Sequence, residues 1–469
     1  MKQYSIDARK RFYNSGGQMP PLNFEAEPAP LPAASAGASP KLITDTTLRD
    51  GAQDPRFAQF PAEARVRYFD LLHELDNGTG RIEQVEVFIY QKRDLWALEQ
   101  LLDRGYDFPQ VTTWTRATPK DIKLAVEVSG GRVKETGMLA SSSDHHIFDK
   151  LGFRSKEEAV DKYLQPIMTA VEHDITPRIH LEDATKADIY GFVIPFIQRA
   201  LRETEGRAKF RVCDTLGVGF PDPYAALPVG VPKLISTIIA ETGAQIEWHG
   251  HNDFGFATAN SIAAWRYGAR RVNVAFGGLG ERTGNTTLEQ VVADYVRIYG
   301  DPGFKLEALR QIAELIKSDV SDVNIKSPIV GDAIFTTQSG IHQSGVERQR
   351  DAEGGDIYLP FDPGLLGKRP EELLRVGSLS GAEGIIAALN TKQAEETGQP
   401  GRYTATSRVV KHVYDTVQAA YDGDWDEAKQ AFVNERKSFF SADELYQIAR
   451  EYEARPSKDA EPAVPPGGK

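Results

Sequence analysis

The sequence predicts a (β/α)8 barrel followed by a smaller, mainly helical C-terminal region. Eight short apolar or β-branched runs recur at strand-plus-helix spacing from Lys41 onward, the alternation expected of a parallel sheet wrapped by helices. Polar and ionisable residues stand just past the ends of most of these runs, where barrels of this kind gather their reactive groups. After Ser318 the pattern changes to loops, Gly-rich turns and amphipathic helices.

The runs are Leu42–Thr46, Gln84–Phe88, Gln110–Thr113, Val133–Leu139, Pro177–Leu181, Lys209–Cys213, Gln245–Trp248 and Arg271–Ala275. Eight in about 250 residues suits a closed barrel better than an open sheet. Residues 1–40 are expected to form a flexible N-terminal extension, because Gly16-Gly17, Pro20-Pro21 and Pro28-Ala-Pro-Leu-Pro resist regular structure. The barrel is expected over 41–318, helical subdomains over 319–455, and a disordered tail over 456–469. Within the helical part, Ser407–Tyr421 has amphipathic spacing, and Ser441-Ala-Asp-Glu444 has the form of a capping box.

The net charge of −12, with no run of Lys or Arg, argues against a nucleic-acid footprint. Apolar stretches such as Gly191–Ile197 are too short to span a bilayer, and Met1-Lys-Gln-Tyr-Ser lacks the apolar core of a secretory signal. A cytoplasmic protein without a membrane role is expected. The single cysteine, Cys213, removes any Cys-cluster metal site.

Strand 1 leads into Asp45-Thr-Thr-Leu-Arg-Asp-Gly51, strand 4 into Ser141-Ser-Ser-Asp-His-His146, strand 5 into His180-Leu-Glu-Asp183, strand 6 into Asp214-Thr215, and strand 7 into His249-Gly-His-Asn-Asp253. His249 and His251 are two residues apart, so an extended chain sends both imidazoles to one face, a good pair of divalent-metal ligands. Asp50, from the mouth of strand 1, is the expected third ligand. The alternative is a pair of histidines satisfied by backbone at a strand end. After strand 8, Gly277-Gly278-Leu-Gly-Glu-Arg-Thr-Gly-Asn285 is either a tight turn or a loop whose amides seat a polyanion.

Together, Asp45-Thr-Thr-Leu-Arg-Asp-Gly51, His249-Gly-His-Asn-Asp253 and Gly278-Leu-Gly-Glu-Arg-Thr-Gly-Asn285 strongly resemble the acetyl-CoA/2-oxo-acid condensing enzymes: the 2-isopropylmalate, homocitrate, citramalate and Re-face citrate synthases. The resemblance covers about residues 41–390. It implies a divalent-metal-dependent Claisen condensation of acetyl-CoA with a 2-oxo acid, followed by thioester hydrolysis. The cation, Mg, Mn, Zn or Co, would lie on Asp50, His249 and His251, with Asn285 beside it. Arg49 would stabilise oxyanion character. Gln53, Glu86, His146 and Thr215 would line the substrate pocket, and Gly280 and Glu281 would contribute to the coenzyme A site. Phe335–His342 and Tyr358–Pro363 resemble segments that send a histidine and a tyrosine into a neighbouring subunit's active site. A homodimer follows from this, with catalytic roles for His342 and Tyr358 and with Glu182 assisting His342 as the base.

The sequence departs from the usual family pattern at Gly51-Ala52-Gln53, where a glutamate often follows the glycine. Lys92 and Arg93 follow strand 2 in place of a Gly- and Pro-containing loop; they either meet a second carboxylate, favouring a dicarboxylic 2-oxo acid, or are solvated surface charges. Ser143–Gly152 and Ala187–Pro195 look closer to Re-face citrate synthases. Acyl-CoA lyases share this barrel but typically carry a cysteine in the strand-8 loop, where this chain has Glu281-Arg282. Biotin-dependent carboxyltransferases share the metal motif, but Met-Lys-Met is absent. A non-catalytic binding protein is the reading from another class. Feedback by leucine through a C-terminal regulatory module is not expected.

Overall fold

The computed structural model describes residues 22–32, 40–57, 60–319, 327–331, 334–335, 359–368, 375–376, 381–422, 424–426, 428, 431–433 and 440–455. The chain divides into two compact units that part near residues 325–331.

The first unit is a closed barrel of parallel strands in sequence order: β1 (Leu42–Asp45), β2 (Ile82–Val87), β3 (Gln110–Thr115), β4 (Glu135–Ser141), β5 (Thr176–Glu182), β6 (Lys209–Asp214), β7 (Ile246–Gly250) and β8 (Arg271–Val274). β8 pairs with β1, Asn273 opposite Thr44, which closes the ring. All eight expected runs are strands, with ends displaced by one or two residues. Helices alternate with them: α1 (Ala62–Asp76), α2 (Lys92–Asp103), α3 (Pro119–Ser129), α4 (Lys156–Glu172), α5 (Ile194–Glu203), α6 (Val231–Thr242), α7 (Ala257–Arg266) and α8 (Leu288–Tyr299), followed by α9 (Glu307–Asp319). Local chemistry sets several boundaries. Thr118 and Ser155 cap α3 and α4 by accepting from Asp121 N and Glu158 N, and Gly130 ends α3 in the left-handed conformation that a side chain disfavours.

Alternation along each strand sends apolar residues such as Ile179, Leu181, Val212 and Trp248 outward beneath the helices. The inward layer is charged. Arg178 donates to Gln84 Oε1 at 2.7 Å and Glu86 Oε1 at 3.1 Å, while Arg211 donates to Glu86 Oε2 at 3.2 Å and Glu247 Oε1 at 3.1 Å. Both arginines are 1% exposed. Each buried ion costs several kcal/mol of desolvation, so the arrangement holds only because every charge meets an opposite one.

Within the expected N-terminal extension, residues 22–32 are held rather than free. Glu25 N donates to Tyr224 O and Ala29 N to Pro223 O, both at 2.8 Å, and Lys233 Nζ lies 2.6 Å from Glu25 Oε2. This stretch finds its backbone partners in the loop after β6, which no local pattern announces.

The second unit contains α10 (Ala382–Thr397), α11 (Arg408–Asp422) and α12 (Ala442–Glu453) around a core that includes Ile385, Leu389, Val413, Val417 and Leu445. Two short antiparallel pairs accompany them: β9 (Arg375–Val376) with β12 (Phe440–Ser441), and β10 (Asp424–Asp426) with β11 (Ala431–Val433). Ser441 and Glu444 form the expected capping box. Among the described residues, no helix is long and apolar enough to cross a membrane.

Gly137 of β4 faces the barrel interior; a Cβ there would lie 2.6 Å from His180 Nε2 and 2.9 Å from Glu86 Oε1. Neither group has room to retreat inside the charged layer. Gly137→Ala is expected to lower unfolding stability by about 1–3 kcal/mol, the usual cost of overpacking, measured by urea denaturation followed by circular dichroism. An unchanged midpoint would contradict the tight interior.

Candidate metal centre and active site

His249 lies in β7 and faces inward, as Glu247 does two residues earlier; His251 comes one residue past the strand end and bridges to Asn285. Asp50 sits in the turn after β1, where Arg49, Asp50 and Gly51 all direct their backbone N–H to Thr46 O. The two imidazole Nε2 atoms are 3.3 Å apart, Asp50 Oδ2 is 3.8 Å from His249 Nε2, and the three potential ligand atoms lie within 4.8 Å of one another. Two nitrogens each bound at about 2.0–2.1 Å to one cation would be separated by about 3.0–3.4 Å. The histidines therefore already stand at a ligand-pair distance.

Their electrostatics agree. Burial pushes the His249 imidazole down to about 4 and lowers His251 as well, so both are neutral bases near pH 7. Burial works against the Asp50 carboxylate, yet the Arg49 guanidinium, the two imidazoles and the Asn285 amide outweigh it and hold Asp50 well below the usual range. One carboxylate and two neutral imidazoles form the donor set a borderline divalent cation takes. Asn285 Nδ2 donates to Asp50 Oδ2 at 2.9 Å and to Leu279 O at 2.8 Å, while its Oδ1 is buried with no hydrogen-bond partner among the described residues. A further acceptor thus stands unsatisfied beside the three, and the residues present fit a metal.

Arg49 pairs with Asp50 through Nη1 and lies 3.2 Å from Glu86 Oε2 through Nε, with its guanidinium 4.7 Å from the Trp114 ring centroid. Glu86 is 1% exposed, and Arg49, Arg178, Arg211 and Thr46 surround its oxygens. Burial raises its pKa, but Arg211, Arg49 and Arg178 bring it below the ordinary value.

A second cluster gathers at the ends of β4 and β5. Glu182 Oε2 accepts from His146 Nδ1 at 2.9 Å and from Ser141 Oγ, and Lys150 Nζ donates to both carboxylate oxygens at 2.9 and 3.0 Å. Asp183 follows in the left-handed conformation, φ 61°, which costs a non-glycine residue about 1–3 kcal/mol and requires local support. Its N–H donates to Thr215 Oγ1 at 2.8 Å, and its carboxylate lies 3.8 Å from His146 Nε2 and 3.4 Å from Lys186 Nζ. Beside this cluster is a cavity of about 280 Å³ whose lining includes Trp114, Arg116, Leu139, Ser141, Lys150 and Tyr163.

The glycine loop after β8 is pinned across the mouth. Arg282 donates to both Asp253 oxygens at 2.8 and 2.9 Å and to Thr215 O at 2.6 Å. A Cβ at Gly280 would collide with the Asn285 side chain, so the glycine lets Asn285 reach Asp50.

Of the residues read from the sequence, Arg49, Asp50, Glu86, His249, His251 and Asn285 come together in one cluster, and His146, Glu182 and Thr215 in or beside the other. Gln53 and Glu281 lie exposed, as does Lys92 at the start of α2, with Arg93 half-buried. His342 and Tyr358 lie outside the described residues. Sequence reasoning missed Asn273, Ser141, Lys150 and Asp183. Asn273 left one usable signal, a polar residue between Val272 and Val274 on a barrel strand; the others carried none stronger than their place past a strand.

The Glu182 cluster has a pH consequence. Burial raises the carboxyl pKa, but His146, Ser141 and Lys150 outweigh it and bring it from 4.5 down to about 2. A depressed carboxyl contributes stability above its unfolded value that is lost as pH falls through the folded one. Chemical denaturation of wild type and Glu182→Gln should therefore show the wild type losing more stability than the variant between about pH 4.5 and about pH 2. Parallel curves would contradict the assigned pairing.

Residues 41–316 match the family described as HMGL-like, and residues 332–390 match the alpha-isopropylmalate synthase, post-catalytic domain-like family. The chain is 42% identical over 357 residues to a citrate (Re)-synthase of Clostridium kluyveri, covering 74% of this chain and 76% of that protein. It is 37% identical to a citrate (Re)-synthase of Syntrophus aciditrophicus, covering 75% of this chain and 55% of that one, and 32% identical to a 2-phosphinomethylmalate synthase of Streptomyces hygroscopicus, covering 75% and 79%. A closed parallel barrel with an Asp-His-His cluster at its mouth, and these matches along both units, make the chain an enzyme of the HMGL-like family, of the synthase kind that carries the post-catalytic region.

Proposed function

We propose that the protein condenses acetyl-CoA with a 2-oxo acid in a divalent-metal-dependent Claisen reaction and then hydrolyses the thioester, with oxaloacetate as the favoured acceptor. The juxtaposition of Asp50, His249 and His251 carries the reaction class; the 42% identity to a citrate (Re)-synthase supports the dicarboxylic acceptor. Residues 41–318 are the catalytic barrel in this reading and 319–455 its helical C-terminal part, in a homodimer whose His342 and Tyr358 serve the neighbouring site.

A divalent cation held by Asp50, His249 and His251 would supply Lewis-acid polarisation of the ketone. The chain's own groups do the rest. Arg49, fixed between Asp50 and Glu86, offers a permanent cation to the oxygen that gains charge. An imidazole takes a proton from the acetyl methyl group; the carbanion attacks the ketone carbon, forming the new C–C bond as the carbonyl π pair moves to oxygen, and that oxygen takes a proton back from the imidazolium. Water then adds to the thioester and the C–S bond breaks, leaving a carboxylate and the free thiol. Glu182 holds His146 directly, and in the dimeric reading it assists His342, which is the base. His146 and Lys150 leave Glu182 ionised, ready to stabilise an imidazolium.

The test is thiol release from acetyl-CoA with added Mg, Mn, Co or Zn, using oxaloacetate, 2-oxoglutarate, 2-oxoisovalerate and pyruvate. Oxaloacetate should give the fastest metal-dependent release, and Asp50→Asn or His249→Ala should reduce it by roughly 10²-fold or more, the scale of losing a major electrostatic element. Chelator-resistant release that survives both substitutions would defeat the metal reading. Preference for 2-oxoisovalerate would defeat the oxaloacetate assignment alone.

A further inference from the structure

Hydrogen-bond polarity inside the barrel can be followed atom by atom from a group that only donates to one of the candidate metal ligands. Arg211, an obligatory donor, gives Nη2–H to Glu247 Oε1 at 3.1 Å and lies 3.1 Å from Oε2 through Nε. Glu247 is thereby an acceptor only. The Thr44 hydroxyl at its Oε1 must spend its proton there, which leaves the Thr44 oxygen as an acceptor. The Asn273 amide meets that oxygen at 2.9 Å with the same end that lies 3.2 Å from the Thr44 carbonyl oxygen. A carbonyl cannot donate, so this end of the amide is its NH2. The opposite end is Oδ1, 2.7 Å from His249 Nδ1, and it can only accept.

His249 therefore carries its proton on Nδ1. A neutral imidazole protonated there has a bare Nε2, and Nε2 is the atom 3.3 Å from His251 Nε2 and 3.8 Å from Asp50 Oδ2. The same interior leads to Asp50 by another arm: Arg211 Nη1 donates to Glu86 at 3.2 Å, Glu86 Oε2 is 3.2 Å from Arg49 Nε, and Arg49 Nη1 meets Asp50. One buried guanidinium thus anchors two of the three ligands from opposite sides.

We propose that Asn273 is a positioning residue that relays the polarity of the Arg211–Glu247 pair through Thr44 to His249, fixing the imidazole with Nε2 bare toward the cation position. This rests on the metal reading above but adds a residue outside the Asp45–Gly51, His249–Asp253 and Gly278–Asn285 motifs. Asn273 is 1% exposed and touches the imidazole on the side away from the other ligands, so its action passes through His249. The neutral amide also leaves His249 less basic than a carboxylate partner would, which gives the position a say in metal affinity.

The experiment uses the full-length chain, metal-free and selectively 15N-labelled at histidine, with His249 assigned through His249→Gln. Long-range 1H–15N spectra should show His249 of the wild type as the Nδ1–H tautomer, and Asn273→Leu should lose that preference. Mn2+ titration should show binding weakened by about 10–100-fold in Asn273→Leu, the usual effect of removing such a partner. Asn273→Asp, which keeps an acceptor facing Nδ1, should restore binding to within about threefold of wild type or tighten it further. A purely space-filling role would lower Tm in the leucine variant and leave the Mn2+ affinity in place; that result, or an Nε2–H tautomer in the wild type, would overturn the proposal. If the leucine variant does not fold, the wild-type tautomer and the aspartate variant decide: weakening of more than about tenfold in the aspartate variant would equally refute it. Failure of the wild type to bind Mn2+ would count against the metal reading, while the tautomer would still decide the role of Asn273.

Discussion

Arg211 lies wholly inside the barrel between Glu86 and Glu247, and the candidate metal centre depends on that pairing. Burial works against a charge on each partner, yet the guanidinium stays charged, and Glu247 is held down to about 2. Two arginines at 1% exposure could not persist in an apolar core; here Arg178 and Arg211 share Glu86 and Glu247 so that neither cation is left uncompensated. The result is a rigid layer of donors and acceptors beneath the mouth. Barrels more often fill this space with branched apolar side chains, which pack well but impose no direction on a hydrogen bond.

Above that layer the two halves of the mouth have different chemistry. The β1, β7 and β8 side holds Asp50, His249, His251 and Asn285, a carboxylate and two neutral imidazoles suited to a cation. The β4 and β5 side holds Ser141, His146, Lys150 and Glu182, a carboxylate that stays ionised beside an imidazole. One groups potential ligand atoms for a cation; the other sets a carboxylate against an imidazole and an ammonium. Arg282 joins them at the rim by holding the β8 loop to Thr215 and Asp253, and Thr215 in turn supports the strained backbone of Asp183.

The architecture was legible because barrel formation is written in local periodicity. Each strand offers its outward apolar residues to a helix, so eight runs could be located from spacing, with only their ends misplaced by one or two residues. Asp50 and the histidine pair were legible because strand ends converge at a barrel mouth. The hold on residues 22–32 was not, since it consists of backbone bonds and an ion pair to residues some two hundred positions away, and composition favours freedom there. Ser141, Lys150 and Asp183 were also missed, because their roles depend on partners brought in from neighbouring strands and their loops, Glu182 for Ser141 and Lys150 and Thr215 for Asp183.

From its sequence alone the chain determined its strand order, its family motifs and the residue types gathered at the mouth, because these follow from periodicity and from spacing within single segments. Tertiary structure decided what those residues do to each other. Glu86, which the sequence offered as a substrate contact, lies beneath the mouth among three arginines. Asn273, unremarkable in the sequence, faces His249 Nδ1 only because β8 lies between β7 and β1 in a closed ring. Proton placement depends on donors and acceptors brought together from separate strands, and that information exists only once the barrel has closed.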